Sequence, residues 1–452
     1  MPIKNQSSRI GLQSKADFDI RSINRLALPA ILMGIAEPLI ALADTAFIGR
    51  VGTVELAAVG IAGGFYLMTV WILAQTLTAI AAIVSRHYGK DTLGEVATLV
   101  PQAFFANVLL GLGFYFLTIA FATEIFGFYN AEGELLDACM RYYSIRAIGF
   151  PFTLGTFLLF GTFRGLQNTS WAMGIAMAGA ALNGLLDYIL IFGVEGRIEP
   201  MGLEGAAWAG LAAQVLMCFL AIAVLIRRTP FSIIPTFTLN PNYRWLAGMS
   251  FDLFIRTILL NVTFYLAVRY ATGYGEEVMA AHTIALNIWL FSSFFIDGYA
   301  HAGNAIAGRL VGAESFEALS RLGKKIEKIS LGIGAAMGVV YAILSPMMGE
   351  FFTNEAAVID AFDSIFWLVI IAQPINAVAF AYDGIFKGLG EMKYLRNLLA
   401  VATILGFLPV AVWFHYTRPG LTGIWVAFTV WMVIRAAAPV VRFRRRYSSV
   451  GQ

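Results

Sequence analysis

Charge is scarce in this 452-residue chain: only 13% of its residues are Asp, Glu, Lys or Arg, about half the share of a soluble domain. Cysteine is scarcer still. Cys139 and Cys218 are the whole complement, too few for a disulfide framework or a thiolate metal cluster. Four histidines scattered along the chain offer no metal centre either. The stretch up to about Ser22 lacks the basic start, short apolar run and small-residue cleavage site of a signal peptide. The first apolar helix is therefore expected to stay in the mature protein. What fills the chain instead is apolar surface, 59% of residues, more than a soluble core uses, so most of it must face lipid.

A bilayer core about 30 Å thick takes roughly 20 apolar residues of helix. On that measure the chain offers twelve spans, at about 25–48, 57–84, 95–121, 138–162, 170–193, 203–226, 244–271, 278–306, 328–348, 360–386, 394–416 and 421–440. Lipid leaves each span to satisfy its own backbone hydrogen bonds, which a helix does. The connections alternate in charge. Those after the second, sixth, eighth and tenth spans are basic, as in Arg86 and Lys90, Arg227 and Arg228, Arg321 to Lys328, and Lys387 to Arg396. The loop after the fourth span holds Arg164 alone, and both ends of the chain are basic too. The odd-numbered loops are acidic, as at Glu124, Glu132, Glu134 and Asp137. The positive-inside rule then puts both termini in the cytoplasm.

Short matches recur at one offset. Arg86–His87–Tyr88–Gly89 and Arg309–Leu310–Val311–Gly312 lie 223 residues apart, as do Phe163–Arg164–Gly165–Leu166 and Phe386–Lys387–Gly388–Leu389, and Pro151 and Pro374. Gly202–Leu203–Glu204–Gly205 matches Gly420–Leu421–Thr422–Gly423 at 218. Six spans per half bring both halves into the membrane from the same side, as parallel repeats about an axis along the membrane normal. The expected fold is an all-α integral membrane protein, with twelve transmembrane helices in two pseudo-two-fold-related six-helix bundles around a central cleft. The expected layout is a cytoplasmic segment 1–24, a bundle 25–226, a linker 227–243, a second bundle 244–441 and a basic tail 442–452. Repeats of this kind favour transport, although duplicated bundles also serve membrane enzymes and scaffolds.

Carboxylates inside spans cost about 2.5–3.5 kcal/mol at a helix centre and are functional candidates by default. The first span holds Glu37 and Asp44, seven residues and nearly two turns apart, hence on one face. Pro38 between them removes a backbone bond and should kink the helix. The alternative places either acid near a helix end, merely solvated. In the fifth span Asn183 and Asp187 stand four apart on one face. An amide beside a carboxylate can hold a proton or a small hard cation; the alternative is an interhelical hydrogen bond serving packing. The second half offers Asp252, Arg256, Asp297 and Asp383 as substrate or proton candidates. Asp252 and Arg256, four apart, are equally well read as neutralising one another. Asp297 and Asp383 each precede a glycine, where helices can approach closely. Trp289, Phe291, Phe294 and Phe295 can line a cavity for flat cations, or simply pack. His282 and Cys218 read as packing residues.

Three stretches carry a resemblance. PLIALADTAFIG from Pro38, FRGLQNTS from Phe163 and ALNGLLDYILIFG from Ala181 are similar to motifs of the multidrug and toxic compound extrusion (MATE) family, and the likeness spans nearly the whole chain. Asp252 with Arg256, Ile296–Asp297–Gly298–Tyr299–Ala300 and Tyr382–Asp383–Gly384 resemble its DinF-like branch. The NorM-like branch carries acids where this chain has Asn261 and Asn376. The resemblance implies a cation site at Asp44, Asn183 and Asp187, with bending of the first helix on protonation. The stretch Ala206 to Gly210, AAWAG, lacks a threonine that some relatives have near that site, which favours protons over sodium. Asn304 stands where the branch would have a glutamate.

The combined expectation is a multidrug exporter, not an enzyme, exchanging small organic and often cationic compounds for protons by alternating access. Sodium at Asp44, Asn183 and Asp187 is the alternative coupling ion, and no cofactor or nucleic acid is involved. It would act as a monomer in the lipid bilayer of the inner (plasma) membrane. The rivals are a lipid-linked glycan flippase, against which acids outnumbering bases in the spans is an argument, and a membrane enzyme, for which no constellation of His or Ser is seen.

Overall fold

The computed structural model describes residues 18–447, and the side chains of all of these but 35–44. Among the described residues the chain is helical, with one isolated β-bridge, Val194 to Ile198. Twelve long helices follow in order: α1 Ile20–Ile48, α2 Thr53–Lys90, α3 Leu93–Ala120, α4 Gly133–Gly165, α5 Ser170–Phe192 and α6 Gly202–Arg228. The second half gives α7 Tyr243–Gly273, α8 Glu276–Gly312, α9 Phe316–Phe352, α10 Ala356–Gly388, α11 Met392–Thr417 and α12 Leu421–Tyr447. A short helix, Ala122–Phe128, joins α3 to α4. The eleven from α2 onward are long and apolar enough to cross a membrane.

The helices outlast the apolar runs that reveal them. At 37 residues α9 is about 55 Å long, well beyond a hydrocarbon core of about 30 Å. Arg321, Lys324, Lys325 and Lys328, expected in a loop, therefore lie on its first turns, Arg309 lies within α8, and Arg442 to Arg446 continue α12. Arg164 is likewise in α4, and buried, rather than in a loop. Hydropathy marks where the membrane ends. A helix of Lys and Arg, both good helix formers, has no reason to stop there.

The chain packs as two compact units. One holds a first stretch ending at Ile31, then Ser85–Asp91, then everything from Phe251; the other holds Leu32–Val84 and Thr92–Ser250. Each has its own aromatic core. Tyr66, Phe126, Tyr143 and Phe150 build one, and Phe362, Phe366, Phe407 and Trp431 the other.

The 223-residue offset reappears as identical helix crossings. In one unit a Cβ added at Gly111 would lie 2.6 Å from Pro151 Cα; in the other, one added at Gly334 would lie 2.8 Å from Pro374 Cα. Gly161 meets the Leu77 carbonyl and Gly384 the Ala300 carbonyl. Gly165 packs on Ala81 and Val84, Gly388 on Asn304 and Ala307. Every residue in the second member of each pair stands 223 after its counterpart. A further contact lies within the first-named unit: Gly89 abuts the Arg309 carbonyl and Gly312 the Arg86 carbonyl. Residue i touching j while its counterpart of j touches that of i is the reciprocity of a local two-fold.

Candidate functional site

In α5, Asn183 Nδ2 donates to Asp187 Oδ2 at 2.8 Å, and both residues are buried, Asp187 at 1% exposure. The spacing of four residues stacks the side chains one turn apart, and the bond lies within one helix rather than between two. A carboxylate held by an amide in a membrane-spanning helix can accept a proton or an oxygen-seeking cation. Phe47 near the end of α1 packs edge-on against Phe192 near the end of α5, with ring centres 6.0 Å apart. Phe47 follows position 44 by three residues, and Phe192 follows Asp187 by five. Glu37, Pro38 and Asp44 fall on the α1 helix, and their side chains lie outside the described residues. At the offset of the repeat, Asn183 and Asp187 correspond to Gly406 and Val410. Neither can stand in for an amide or a carboxylate, so the Asn–Asp pair belongs to one repeat only, and α11 carries a π-helical stretch there, Ala402–Phe407.

The second-half candidates assemble differently from the pairing that their spacing allows. Arg256 of α7 donates to Asp383 Oδ1 of α10 at 2.6 Å, and Lys387, one turn on, sits 2.6 Å from Asp383 Oδ2. Asp252 pairs with Arg396 of α11 at 2.5 Å. Mutual neutralisation of Asp252 and Arg256 is therefore not what the fold makes: each finds an opposite charge on another helix. The glycines beside Asp297 and Asp383 do admit close approach. A Cβ at Gly298 would lie 2.8 Å from the Ala27 carbonyl of α1, and Gly384 abuts the backbone of Ala300.

Arg435, in the middle of α12, is the residue that sequence reading passed over. It is buried, its guanidinium lies 4.2 Å from the Trp431 ring centre and 5.8 Å from that of Phe380, and its Nη1 lies 3.2 Å from Met432 Sδ. Asp297 acts on it electrostatically. The signal was an arginine inside an apolar run, which deserves the same attention as an acid there. A cavity of about 10 Å³ between Arg256, Asp383 and Arg435 is room for about one water. Asp383 thus stands among Arg256, Lys387 and Arg435, so within this unit acids do not outnumber bases.

A polar cluster in the other unit was also unforeseen. Tyr66 Oη lies 3.0 Å from Thr153 Oγ1 and donates to Gln214 Oε1 at 3.2 Å, and the Arg146 guanidinium covers its ring at 4.8 Å. Of the aromatic stretch in α8, Trp289 is buried against Phe264 and Phe380, whereas Phe291 is exposed and packs on Phe295. His282 is buried against Trp425 and Phe428, and Cys218 is buried.

Comparison with known proteins agrees with this geometry. The MatE family matches residues 29–189 and 253–413, one match in each repeat. Protein DETOXIFICATION 42 of Arabidopsis thaliana is 26% identical over 92% of this chain and 90% of its own length. DNA damage-inducible protein F of Escherichia coli strain K12 is 25% identical over 94% and 92%, in keeping with the DinF-like motifs. A crystal structure of a MATE protein in a bent conformation superposes with a TM-score of 0.88 at 21% identity, over 97% of this chain and 98% of that one. Two matched repeats, twelve long helices and this superposition have one consequence: the chain is a multi-pass membrane protein that belongs to the MatE family of transporters.

Proposed function

We propose that the chain is a secondary active multidrug exporter of the inner membrane, working as a monomer and exchanging small organic, often cationic compounds for protons. The observation that carries this reading is the buried Asn183–Asp187 pair, 2.8 Å apart on a membrane-spanning helix. Substrate enters from the cytoplasm or inner leaflet while Asp44 and Asp187 are ionised. Protons from outside then neutralise both, α1 bends at Pro38, and substrate leaves; Glu37 on the same helix is a second proton acceptor. Sodium is the alternative ion at the same residues. The relative named for detoxification supports an export role.

The test is efflux of a fluorescent organic cation from cells stripped of their own pumps, under an imposed pH gradient without sodium. Wild type is compared with Asp44→Asn and Asp187→Asn at equal membrane expression. Efflux in wild type and its loss in both variants supports proton antiport. Efflux that starts only when sodium is added replaces the proton by sodium. Variants that pump as well as wild type move the site to Asp252, Asp297 or Asp383. A lipid-linked glycan flippase is the second reading, favoured by the gathering of Arg256, Lys387 and Arg435 about Asp383, since pyrophosphate seeks bases. Only that reading expects translocation of a lipid-linked glycan in proteoliposomes.

A further inference from the structure

The exposed side of α12 carries a groove that the transport reading does not use. Ile434, Ala437, Ala438 and Val441 recur at helical spacing and form its apolar wall. The wall covers about 10 Å of helix. Arg442, Arg445 and Arg446 follow at its end, with Tyr394 of α11 opposite, and the open groove has a volume of about 840 Å³. The small side chains at 437 and 438 make the hollow, and the arginines give it a charged mouth.

The mouth is ordered from behind. Glu391 accepts Arg442 Nε at 3.0 Å and Nη2 at 2.7 Å through one oxygen, and Arg446 Nη1 at 2.5 Å through the other. The Arg442 guanidinium also lies 4.3 Å from the Tyr394 ring centre. One carboxylate thus holds two guanidiniums in place and leaves an excess positive charge. Arg445, exposed on the same rim, makes no ion pair among the described residues. Two units of uncompensated charge therefore border an apolar slot that begins where the hydrophobic run of α12 ends.

We propose that this groove binds an anionic phospholipid, its phosphate on Arg442, Arg445 and Arg446 and the upper part of one acyl chain along Ile434 to Val441. The pairing of an apolar wall with a cationic rim selects this occupant. A soluble anion has no use for the wall, and a neutral lipid none for the arginines. Arginine forks suit phosphate oxygens, and basic groups beside a membrane helix attract anionic headgroups. The positive-inside orientation of the chain makes the lipid one of the cytoplasmic leaflet.

Native mass spectrometry of the purified full chain in detergent, titrated with palmitoyl-oleoyl phosphatidylglycerol or phosphatidylcholine, tests this. Phosphatidylglycerol is expected to bind at least fivefold more tightly. Arg445→Gln, at an exposed and unpaired position, is expected to lose about fivefold of that affinity, which is about 1 kcal/mol. Ala437→Trp, filling the slot from an exposed position, is expected to remove the bound lipid, with gel filtration confirming a monodisperse fold. Arg228→Gln, an exposed basic residue at the end of α6, is expected to bind as wild type does. Equal binding of the two lipids overturns the proposal. So does an equal loss in Arg228→Gln, which would mean diffuse attraction, or a lipid-free dimer with the groove covered by a second copy.

Discussion

At the scale of single residues, the buried ions of the second unit are judged by what happens when one partner is removed. Arg256 and Asp383 are 2.6 Å apart with side chains about one-tenth exposed. Truncating one member of such a pair strands the other charge, at a cost of about 3–5 kcal/mol. Lys387 stays with Asp383, so Arg256→Ala is expected near the lower end, about 3 kcal/mol, by unfolding in mixed micelles. The double variant Arg256→Met with Asp383→Leu is expected to recover none of that loss, because it also takes the carboxylate from Lys387 and from the buried Arg435. A double variant as stable as wild type would show that the cluster holds the helices by shape rather than charge. Asp187→Asn is expected to behave otherwise. A neutral amide fits a site meant for a protonated carboxyl, so the variant should keep wild-type stability while losing at least tenfold of pH-driven efflux. A variant that unfolds instead would make Asp187 structural.

At the scale of elements, helix crossings and one distorted turn set the expectations. Gly384 abuts the backbone of Ala300, which cannot yield as a flexible side chain would. Overpacking costs about 1–3 kcal/mol, so Gly384→Val should lower the melting temperature in detergent and separate α8 from α10. Its repeat counterpart Gly161→Val should act alike on α2 and α4, and the two should add, being in different units. In α11, Thr403 within the π-helical stretch lies 2.9 Å from Thr263 Oγ1 and accepts a bond from Trp431 Nε1 at 3.1 Å. Thr403→Val leaves the buried indole N–H without its acceptor, for a loss of about 1–3 kcal/mol. Trp431 carries Arg435 on its ring face. The same variant should therefore weaken export if Arg435 takes part in it, whereas unchanged export would confine the turn to packing.

At the scale of the whole molecule, the charge pattern predicts a direction that labelling can test. Both native thiols are buried, so single new cysteines report cleanly once those two are replaced by serine. Glu132→Cys, on the acidic side, is expected to react with a membrane-impermeant maleimide in intact cells. Lys324→Cys, on the basic first turns of α9, is expected to react only after permeabilisation. The reverse pattern would invert the chain, and with it the leaflet assigned to the α12 groove.

The sequence by itself determined the membrane class, the number of spans, the 223-residue repeat and the α5 pair. All of these are one-dimensional: apolar run length, sign of charge, a recurring motif and a four-residue spacing on one helix. Tertiary structure decided the rest. Asp252 and Arg256 satisfy the same spacing rule as Asn183 and Asp187, yet only the second pair bonds, because longer-range partners were within reach of the first. Asp383 lies 127 residues from Arg256 and Arg396 lies 144 from Asp252, and no local pattern announces either. Helix ends escaped for a related reason: hydropathy senses lipid, while the backbone of α9 and α12 continues through charged residues into water. The groove on α12 needed both kinds of information. Its stripe is legible as spacing, but its mouth exists only because Glu391 and Tyr394, from outside α12, hold the arginines there. A buried or aligned charge is stabilised by whatever stands against it in space, and that is the one thing sequence order leaves open.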